Sequence, residues 1–195
     1  SSRRRHTRYA DRSRGLGDVY KRQDEDGEIV PPGVSGGVEI RSTALFTGYW
    51  RLPEKTASEF RDGGWFVTGD VGALDEEGRL TLEGRAGDMI ISGGYNVYPK
   101  EIELVLDQVD GVDETAVIGV PHPDFGEAVV AVVVRDPGAK VDAEEMDAAL
   151  DGTLARFKHP KHYEFVDALP RNSMSKVQKS DLRASHAELF TAADA

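Results

Sequence analysis

The chain has 195 residues, enough for one ordinary domain or for a domain with part of another. Its 35 acidic and 24 basic residues give a formal net charge of -11, which argues against a nucleic-acid-binding surface. Cysteine is absent, so a disulfide framework, a cysteine nucleophile and a thiolate metal site are excluded, and no apolar run approaches the roughly 20 residues of a membrane helix. We therefore expect an acidic cytoplasmic protein with neither nucleic acid nor membrane as a partner.

The first 23 residues differ in charge from the rest of the chain. They carry eight basic and two acidic residues, whereas the remaining 172 carry 16 basic and 33 acidic ones. Without helical or strand periodicity and with few aliphatic side chains, residues 1–23 are predicted to be disordered. A basic arm for nucleic acid or membrane is one interpretation. We favour a non-native leader, because SSRRRHTRY and DVYKRQ resemble translated sequencing adapters, and the true N-terminus is then missing.

Residues 24–83 form a region of short predicted strands. The strand patterns lie at residues 27–30, 37–40, 65–68 and 80–82, and turn residues separate them. One helix is predicted at 53–60. The region is too short and too weakly apolar to be a complete domain, so it is predicted to be the β-rich end of a larger N-terminal domain.

From residue 84 to residue 190 the pattern changes to alternating strands and helices. Strands are predicted at 116–120, 128–134 and 163–166, and helices are predicted to begin at Pro99, Asp142 and Lys179. The helix from Asp142 is expected to carry one apolar stripe: Met146, Leu150, Leu154 and Phe157. This part is predicted to be a small α/β domain, an α+β arrangement of a central sheet with flanking helices, followed by a tail at 191–195.

Three segments contain residue types that suit ligand binding. Residues 68–70, Thr-Gly-Asp, would present a carboxylate that can hold the two hydroxyls of ribose, although a plain hairpin turn has the same pattern. Residues 84–99 contain four glycines that permit close approach of a ligand, or else form a domain junction and a hairpin. Residues 169–179 place Lys176 in a polar loop, where it either stabilises phosphate and carboxylate oxygens or simply faces water. The histidine spacings predict no metal site.

Together the three segments resemble the adenylate-forming acyl-CoA synthetases, also called the AMP-binding or ANL superfamily. The likeness runs from about Asp24 to Phe190 and includes residues 37–50, which are similar to the family's Gly-Glu-Leu…Gly-Tyr segment. Within the family, residues 46–56, 92–101 and 169–179 are most similar to malonyl-CoA synthetases, enzymes of fatty acid metabolism.

The resemblance implies an acid–thiol ligase. Such an enzyme forms acyl-AMP and pyrophosphate from a carboxylic acid and ATP, and then transfers the acyl group to the thiol of CoA. Thr68, Asp70 and Arg85 would bind ATP or AMP, with Asp70 on the ribose hydroxyls and Arg85 near ribose and phosphate. Lys176 would be the catalytic residue, bridging the carboxylate and the α-phosphate by placed charge.

The resemblance also implies a hinge at Gly87 and a CoA site. Turning about the hinge would remove the Lys176 loop and bring the glycine loop to the pantetheine tunnel. The expected CoA contacts are Ser92, Gly93, Gly94, Phe157, His159 and Lys161, the last three in a segment where cations meet phosphates and an aromatic ring stacks on adenine.

Two positions depart from the family pattern. Gly87 stands where Asp or Lys is usual, which should free the hinge. Ser175 stands where Gly is usual, which would strain the loop if this position needs a positive φ. The family's phosphate loop, acid pocket and Mg²⁺-binding glutamate lie upstream, so the Mg²⁺ ligands are expected in an N-terminal domain missing from this chain, and the chain alone is expected to have little or no activity.

Malonate is the leading substrate hypothesis. The alternatives are a ligase for another short-chain or aromatic acid, or a stand-alone CoA-binding or docking module without catalysis. A lysine acetyltransferase acting on Lys176 would remove its charge and block adenylation while sparing thioester formation.

Overall fold

A computed structural model describes residues 9–10, 19–24 and 27–190, and the chain divides into two compact units, Ser1–Gly87 and Asp88–Ala195. The division falls in a 3-10 turn, Ala86–Asp88, after the residue expected to be the hinge. It lies four residues beyond the predicted boundary, because a strand continues through residue 85. The predicted tail at 191–195 lies outside the described residues.

The first unit is an antiparallel sheet. Its strands are β1 (Tyr9–Ala10), β2 (Val19–Gln23), β3 (Gly36–Arg41), β4 (Phe60–Arg61), β5 (Trp65–Leu74) and β6 (Arg79–Arg85), and helix α1 (Pro53–Glu59) precedes β4. Among the described residues the strand order is β1-β6-β5-β3-β2, with β4 beside β5. This arrangement places the ends of β5 and β6 next to each other.

Strand β2 corrects the expectation of disorder at residues 19–23. It pairs with β3 from Val19 to Gln23. Its Arg22 is only 3% exposed, and the guanidinium donates to the carbonyls of Val30 and Val34 at 3.0 and 2.8 Å. The sequence did not reveal this strand because backbone pairing and a buried cation hold it, rather than an apolar face. Residues 1–8 and 11–18 lie outside the described part of the chain.

The second unit is a mixed sheet flanked by helices. Its strands are β7 (Ile90–Ser92), β8 (Tyr95–Val97), β9 (Val112–His122), β10 (Gly126–Arg135) and β11 (His162–Val166), and its helices are α2 (Pro99–Leu106), α3 (Ala143–Leu150) and α4 (Lys179–Ser185). Strand β10 pairs antiparallel with β9 and β7 and parallel with β11. This confirms the predicted α+β class.

Strands β9 and β10 of the second sheet are buried on both faces. Alternate residues of β9 and β10 point to opposite faces, so these two strands contribute to two apolar clusters. One cluster includes Ile90, Val97, Ile102, Leu106, Val117, Val129, Ala131, Val133, Met146 and Leu150. The other consists of Ala116, Ile118, Val120, Val130, Val132, Val134, Leu169 and Leu182. Helices α2 and α3 therefore cover one face, and α4 covers the other.

Helix α3 begins as predicted but ends early. The Asp142 side chain accepts hydrogen bonds from the backbone N–H groups of Glu144 and Glu145. The Glu145 carboxylate in turn accepts a hydrogen bond from the Asp142 N–H. The helix ends at Leu150, two residues before Gly152 with φ +73°. The predicted stripe is therefore wrong beyond Leu150. Among the described residues no helix is long and apolar enough to cross a membrane.

Leu106→Ala is expected to destabilise the second unit by about 2–5 kcal/mol, because it empties a fully buried site under the sheet. Leu104 lies on the same helix but is 57% exposed, so Leu104→Ala is the matched control and should change stability by less than about 0.5 kcal/mol. Urea unfolding followed by circular dichroism measures both variants. Equal losses in the two variants would contradict the assigned packing of α2.

Candidate functional site

The first candidate site lies where β5 and β6 pair. Asp70 and Arg85 face each other across the two strands. The Arg85 Nε lies 2.9 Å from the Asp70 Oδ1, and an η-nitrogen of Arg85 donates to the Thr68 carbonyl at 3.0 Å. The structure thus brings together the three residues predicted to bind ATP or AMP.

A glycine kink shapes this site. Gly69 has φ +75°, and a Cβ at this position would lie 3.4 Å from an Arg85 η-nitrogen. The Thr68 hydroxyl donates to the Val38 carbonyl at 2.9 Å and accepts from the Asp70 N–H at 3.0 Å. The predicted turn at 68–70 is therefore a kink within the continuous strand β5.

The Asp70–Arg85 pair is accessible to a ligand. The Asp70 side chain is 26% exposed and the Arg85 side chain 62% exposed. A carboxylate accepts hydrogen bonds from hydroxyl groups, while a guanidinium donates to hydroxyl or phosphate oxygens. The pair can therefore hold a group that presents hydroxyls next to a phosphate.

The second candidate site begins at the β7–β8 hairpin, whose turn is Gly93-Gly94. Their φ values of +57° and +82° belong to the left-handed region, in which two-residue hairpins favour glycine. The Gly93 N–H donates to the Phe125 carbonyl at 2.9 Å. Ser92 is buried beside this turn. The glycine loop, residues 92–94, is thus exposed at its tip and fixed at its base.

Glu127 and Phe125 support this loop, and the sequence analysis missed both. The Glu127 Oε2 accepts the Ile91 N–H at 2.8 Å. Gly119 on β9, two residues before the pairing partner of Glu127, makes room for this carboxylate, since a Cβ there would lie 2.8 Å from the Glu127 Oε1. Only the pairing of β9 with β10 brings these residues together, so no local sequence signal could have identified them.

The segment 156–161 lies against the glycine loop. The rings of Tyr95 and Phe157 stack with centroids 4.6 Å apart, and the Lys161 Nζ lies 5.5 Å from the centroid of the Phe125 ring. An open pocket of about 390 Å³ borders this region; its lining is Asp147, Arg156, Phe157, His159, Pro160 and Lys161. Aromatic faces and cations therefore meet at one surface.

His159, which was expected to contact CoA, lies largely buried at the edge of this pocket. The residue is only 4% exposed. Its Nδ1 lies 2.8 Å from the Asp147 Oδ1, and an η-nitrogen of Arg156 donates to the Asp147 Oδ2 at 3.0 Å. The imidazole is held inside the unit because Asp147 on α3 binds it there. Its position makes it a support for the segment 156–161.

The surroundings of His159 shift the pKa of two residues, Asp147 and Tyr163. Burial raises the pKa of Asp147, but the hydrogen bonds from His159 and Arg156 outweigh it and leave the pKa below its ordinary value. Burial, together with the charge of Asp147, raises the pKa of Tyr163. Asp147 is therefore ionised at neutral pH, and Tyr163 keeps its proton.

The third candidate site is the lysine loop, residues 170–178, which carries the exposed Lys176. The Asn172 side chain accepts from the backbone N–H groups of Met174 and Lys176 at 2.9 and 3.0 Å. Ser175 has a positive φ of +60°. A serine at this position was expected to strain the loop if its φ had to be positive, and it is. The backbone is closed on itself and the lysine points outward.

The glycine loop and the lysine loop lie in different parts of the second unit, because the first is a hairpin turn within the sheet and the second packs on one of its faces. Val97, just after the glycine loop, belongs to the cluster under α2 and α3. Leu169 and Val177, near the two ends of the lysine loop, pack against the cluster on the other face. Among the described residues there is no group of three or more His, Asp or Glu that could hold a metal ion.

The comparisons with known proteins agree on one family. Residues 101–176 match the model of the AMP-binding enzyme C-terminal domain. The chain is similar to a long-chain-fatty-acid–CoA ligase of Bacillus subtilis, with 42% identity over 165 residues that cover 85% of this chain and 29% of that protein. It is also similar to a feruloyl-CoA synthase of an Amycolatopsis species, with 45% identity over 157 residues that cover 80% and 32%.

A solved structure shows the same likeness. ATP-bound MatB from Rhodopseudomonas palustris is 52% identical, with a TM-score of 0.81, over 89% of this chain and 35% of that one. The chain thus spans about a third of the length of the relatives that it matches.

Ser175→Gly is expected to stabilise the second unit by about 0.5–1 kcal/mol, because glycine adopts a φ of +60° without strain. Ser173 lies in the same loop and is not among the residues with positive φ, so Ser173→Gly is the matched control and should be neutral or destabilising. Urea midpoints compare the two variants. A lower midpoint for Ser175→Gly than for the parent would contradict this account of the loop.

Asp147→Asn is expected to weaken the dependence of the free energy of unfolding on pH at acidic pH. Since the folded-state pKa of Asp147 is lowered, its stabilisation is present above the ordinary value of 3.8 and is lost as the pH falls through the lower folded value. The variant should be less stable than the parent at pH 7, and the difference should shrink below about pH 4. Urea unfolding at several pH values measures it. A constant difference at all pH values would be the contrary result.

Proposed function

This chain belongs to the AMP-binding enzyme family through its C-terminal domain, and we propose that it acts as the C-terminal part of an AMP-forming acid–CoA ligase. The observation that carries the proposal is that an exposed lysine loop and a glycine hairpin turn are held at two separate places on one small unit. Two loops at separate places suit an enzyme that needs two different arrangements for two successive steps.

In the first step, a carboxylate oxygen of the acid attacks the α-phosphorus of ATP. A bond forms between this oxygen and phosphorus, and the bond from phosphorus to the pyrophosphate oxygen breaks. Lys176 would place a positive charge between the carboxylate and the α-phosphate. Both groups are anionic, and the lysine would reduce their repulsion as they approach each other. Its exposed position in a closed loop supports this role.

Asp70 and Arg85 would hold the nucleotide during this step. The Asp70 carboxylate would accept hydrogen bonds from the ribose hydroxyls, and Thr68 would fix the kinked backbone beside it. Arg85 already lies against both residues, so the site needs little rearrangement to receive the nucleotide. Pre-arranged groups of this kind reduce the entropic cost of binding.

In the second step, the sulfur of CoA attacks the carbonyl carbon of acyl-AMP and AMP leaves. The glycine loop, Ser92, Gly93 and Gly94, would let the pantetheine arm approach the backbone closely. Phe157 and Lys161 would contact the nucleotide end of CoA through stacking and through a cation on phosphate. Their proximity to the glycine loop supports this assignment, and His159 would act by supporting the segment.

We propose malonate as the acid. The support is the similarity of residues 46–56, 92–101 and 169–179 to malonyl-CoA synthetases, together with the 52% identity to MatB, which is of that kind. The two other relatives described above, at 42% and 45% identity, are a long-chain-fatty-acid–CoA ligase and a feruloyl-CoA synthase. Mg²⁺ would be bound by residues outside this chain, and the use of ATP and CoA fits a cytoplasmic enzyme.

A stand-alone CoA-binding module is the second candidate, because the aromatic and cationic surface lies wholly within the second unit. Steady-state assays of the full-length enzyme with malonate, a fatty acid and ferulate separate the candidates. AMP formation with malonate supports the leading proposal, and AMP formation only with another acid changes the substrate. CoA binding without AMP formation from any acid would favour the module.

Lys176→Ala in the full-length enzyme is expected to slow malonate-dependent ATP–pyrophosphate exchange by about 10²–10³-fold, because a positioned charge is lost from the transition state. Thioester formation from preformed malonyl-AMP should stay within about threefold of the parent. Acetylation of Lys176 should have the same two effects.

Lys140→Ala is the matched control, since Lys140 is also an exposed loop lysine of the second unit. It should leave both half-reactions unchanged. If Lys176→Ala slowed both half-reactions equally, the assigned role of Lys176 in adenylation alone would be wrong.

A further inference from the structure

The lysine loop is tied to the rest of the second unit at both ends. At its start, an Arg171 η-nitrogen contacts the Glu114 carboxylate on β9. Just after its end, the Lys179 Nζ lies 2.7 Å from the Glu103 Oε1 on α2. Both acidic partners are distant in sequence from the loop. The two ion pairs therefore connect the loop to elements that belong to the folded sheet.

Glu103 is a buried anchor. The residue is only 5% exposed, and its Oε1 also accepts the Val117 N–H at 3.0 Å. Among the described strands β9 pairs only with β10, so this N–H lies on the open edge of the sheet and needs another acceptor. A buried carboxylate is costly unless cations and donors satisfy it. Lys179 is therefore held in place by the charge that it neutralises.

The two lysines that contact Glu103 are not equivalent. The Lys179 side chain is 18% exposed, and this residue is the first of α4, directly after the lysine loop. Lys100 is 53% exposed, lies 3.6 Å from the Glu103 Oε2, and belongs to α2 itself. Losing Lys179 would remove the ion pair that ties the end of the loop to the sheet edge. Losing Lys100 would leave the loop attached.

The loop between the two ion pairs has little packing of its own. Residues 173–176 are exposed, and the Ser175 backbone is in the left-handed region. Segments with few buried contacts open locally at low free energy. The attachments at its ends therefore control how far the loop departs from the conformation that presents Lys176.

We propose that Lys179, through Glu103, is a positioning residue for Lys176, and that Arg171 with Glu114 completes the clamp at the other end of the loop. The role of the clamp in catalysis rests on the proposed function of Lys176. The clamp itself is a property of this chain and can be measured without any activity.

Hydrogen–deuterium exchange of this chain tests the clamp. The reporters are the amides of Met174, Ser175, Lys176 and Gln178, each of which donates a hydrogen bond within the loop. Exchange of these amides in Lys179→Met should rise by about tenfold over the parent, because the loop opens more often. Exchange of the β10 amides should not change. Lys179→Arg should restore slow exchange, since it returns the cation.

Lys100→Met is the matched control because it removes the other cation from the same carboxylate, and it should leave loop exchange within about twofold of the parent. The clamp is refuted if loop exchange is the same in Lys179→Met and Lys100→Met. It is equally refuted if loop and β10 amides accelerate together, since Lys179 would then stabilise the whole unit without positioning the loop.

Half-reactions of the full-length enzyme test the consequence for catalysis. Lys179→Met should slow malonate-dependent pyrophosphate exchange by about tenfold and spare thioester formation from malonyl-AMP, with recovery in Lys179→Arg. One outcome is that hydrogen exchange shows the loop opening in Lys179→Met, while neither Lys179→Met nor Lys176→Ala changes the rate of pyrophosphate exchange. In that case the proposed function fails and the clamp stands. If only Lys176→Ala has an effect, the positioning role fails.

Discussion

The pairing of β9 with β10 is the constraint on which the rest of the second unit depends. Nine consecutive pairs run from His122 opposite Gly126 to Glu114 opposite Val134 before the register shifts. Because side chains alternate along both strands, this hairpin supplies apolar surface to both faces of the sheet. Each face is then covered by a different set of helices. The two ends of the lysine loop pack on the face that α4 covers.

Acidic side chains hold the candidate loops to the rest of the second unit. Glu127 accepts a backbone N–H at the base of the glycine loop, Asp147 binds His159 beneath the segment 156–161, and Glu103 binds Lys179 next to the lysine loop. Each carboxylate contacts a group distant in sequence, and each replaces apolar packing that an exposed loop lacks. Part of the chain's acidic excess therefore has a structural use, and its negative charge is not only a matter of solubility.

The sequence was sufficient for elements that depend on local patterns. The capping residues of α3 and the continuous apolar runs of β9 and β10 were predicted because propensity and periodicity act over a few residues. Strand β2 was missed because a buried Arg22 and backbone pairing stabilise it, and the predicted strand at 27–30 is reduced to a single bridge between Ile29 and Gln23. The stripe expected beyond Leu150 failed because α3 ends there.

Some residues of the candidate sites could be identified from the sequence, and others could not. Asp70, Arg85 and Lys176 could be identified from their motifs, since each lies in a short segment of recognisable composition. Phe125, Glu127 and Lys179 could not, because their significance comes from partners that only the folded chain brings near. His159 was recognised as important, but the direction of its ring depends on Asp147, which lies on a helix 12 residues earlier in the chain.

The two departures from the family pattern have opposite mechanical effects. At Gly87 the φ is outside the left-handed region and a Cβ would meet no atom within 4 Å, so the local fold does not require glycine there. Glycine then adds only rotational freedom, at the point where the two units divide. Ser175 does the reverse, since a side chain at φ +60° narrows the conformations open to the loop once its ends are clamped. The glycine therefore adds backbone freedom where the two units divide, and the serine restricts the backbone of the loop that carries Lys176.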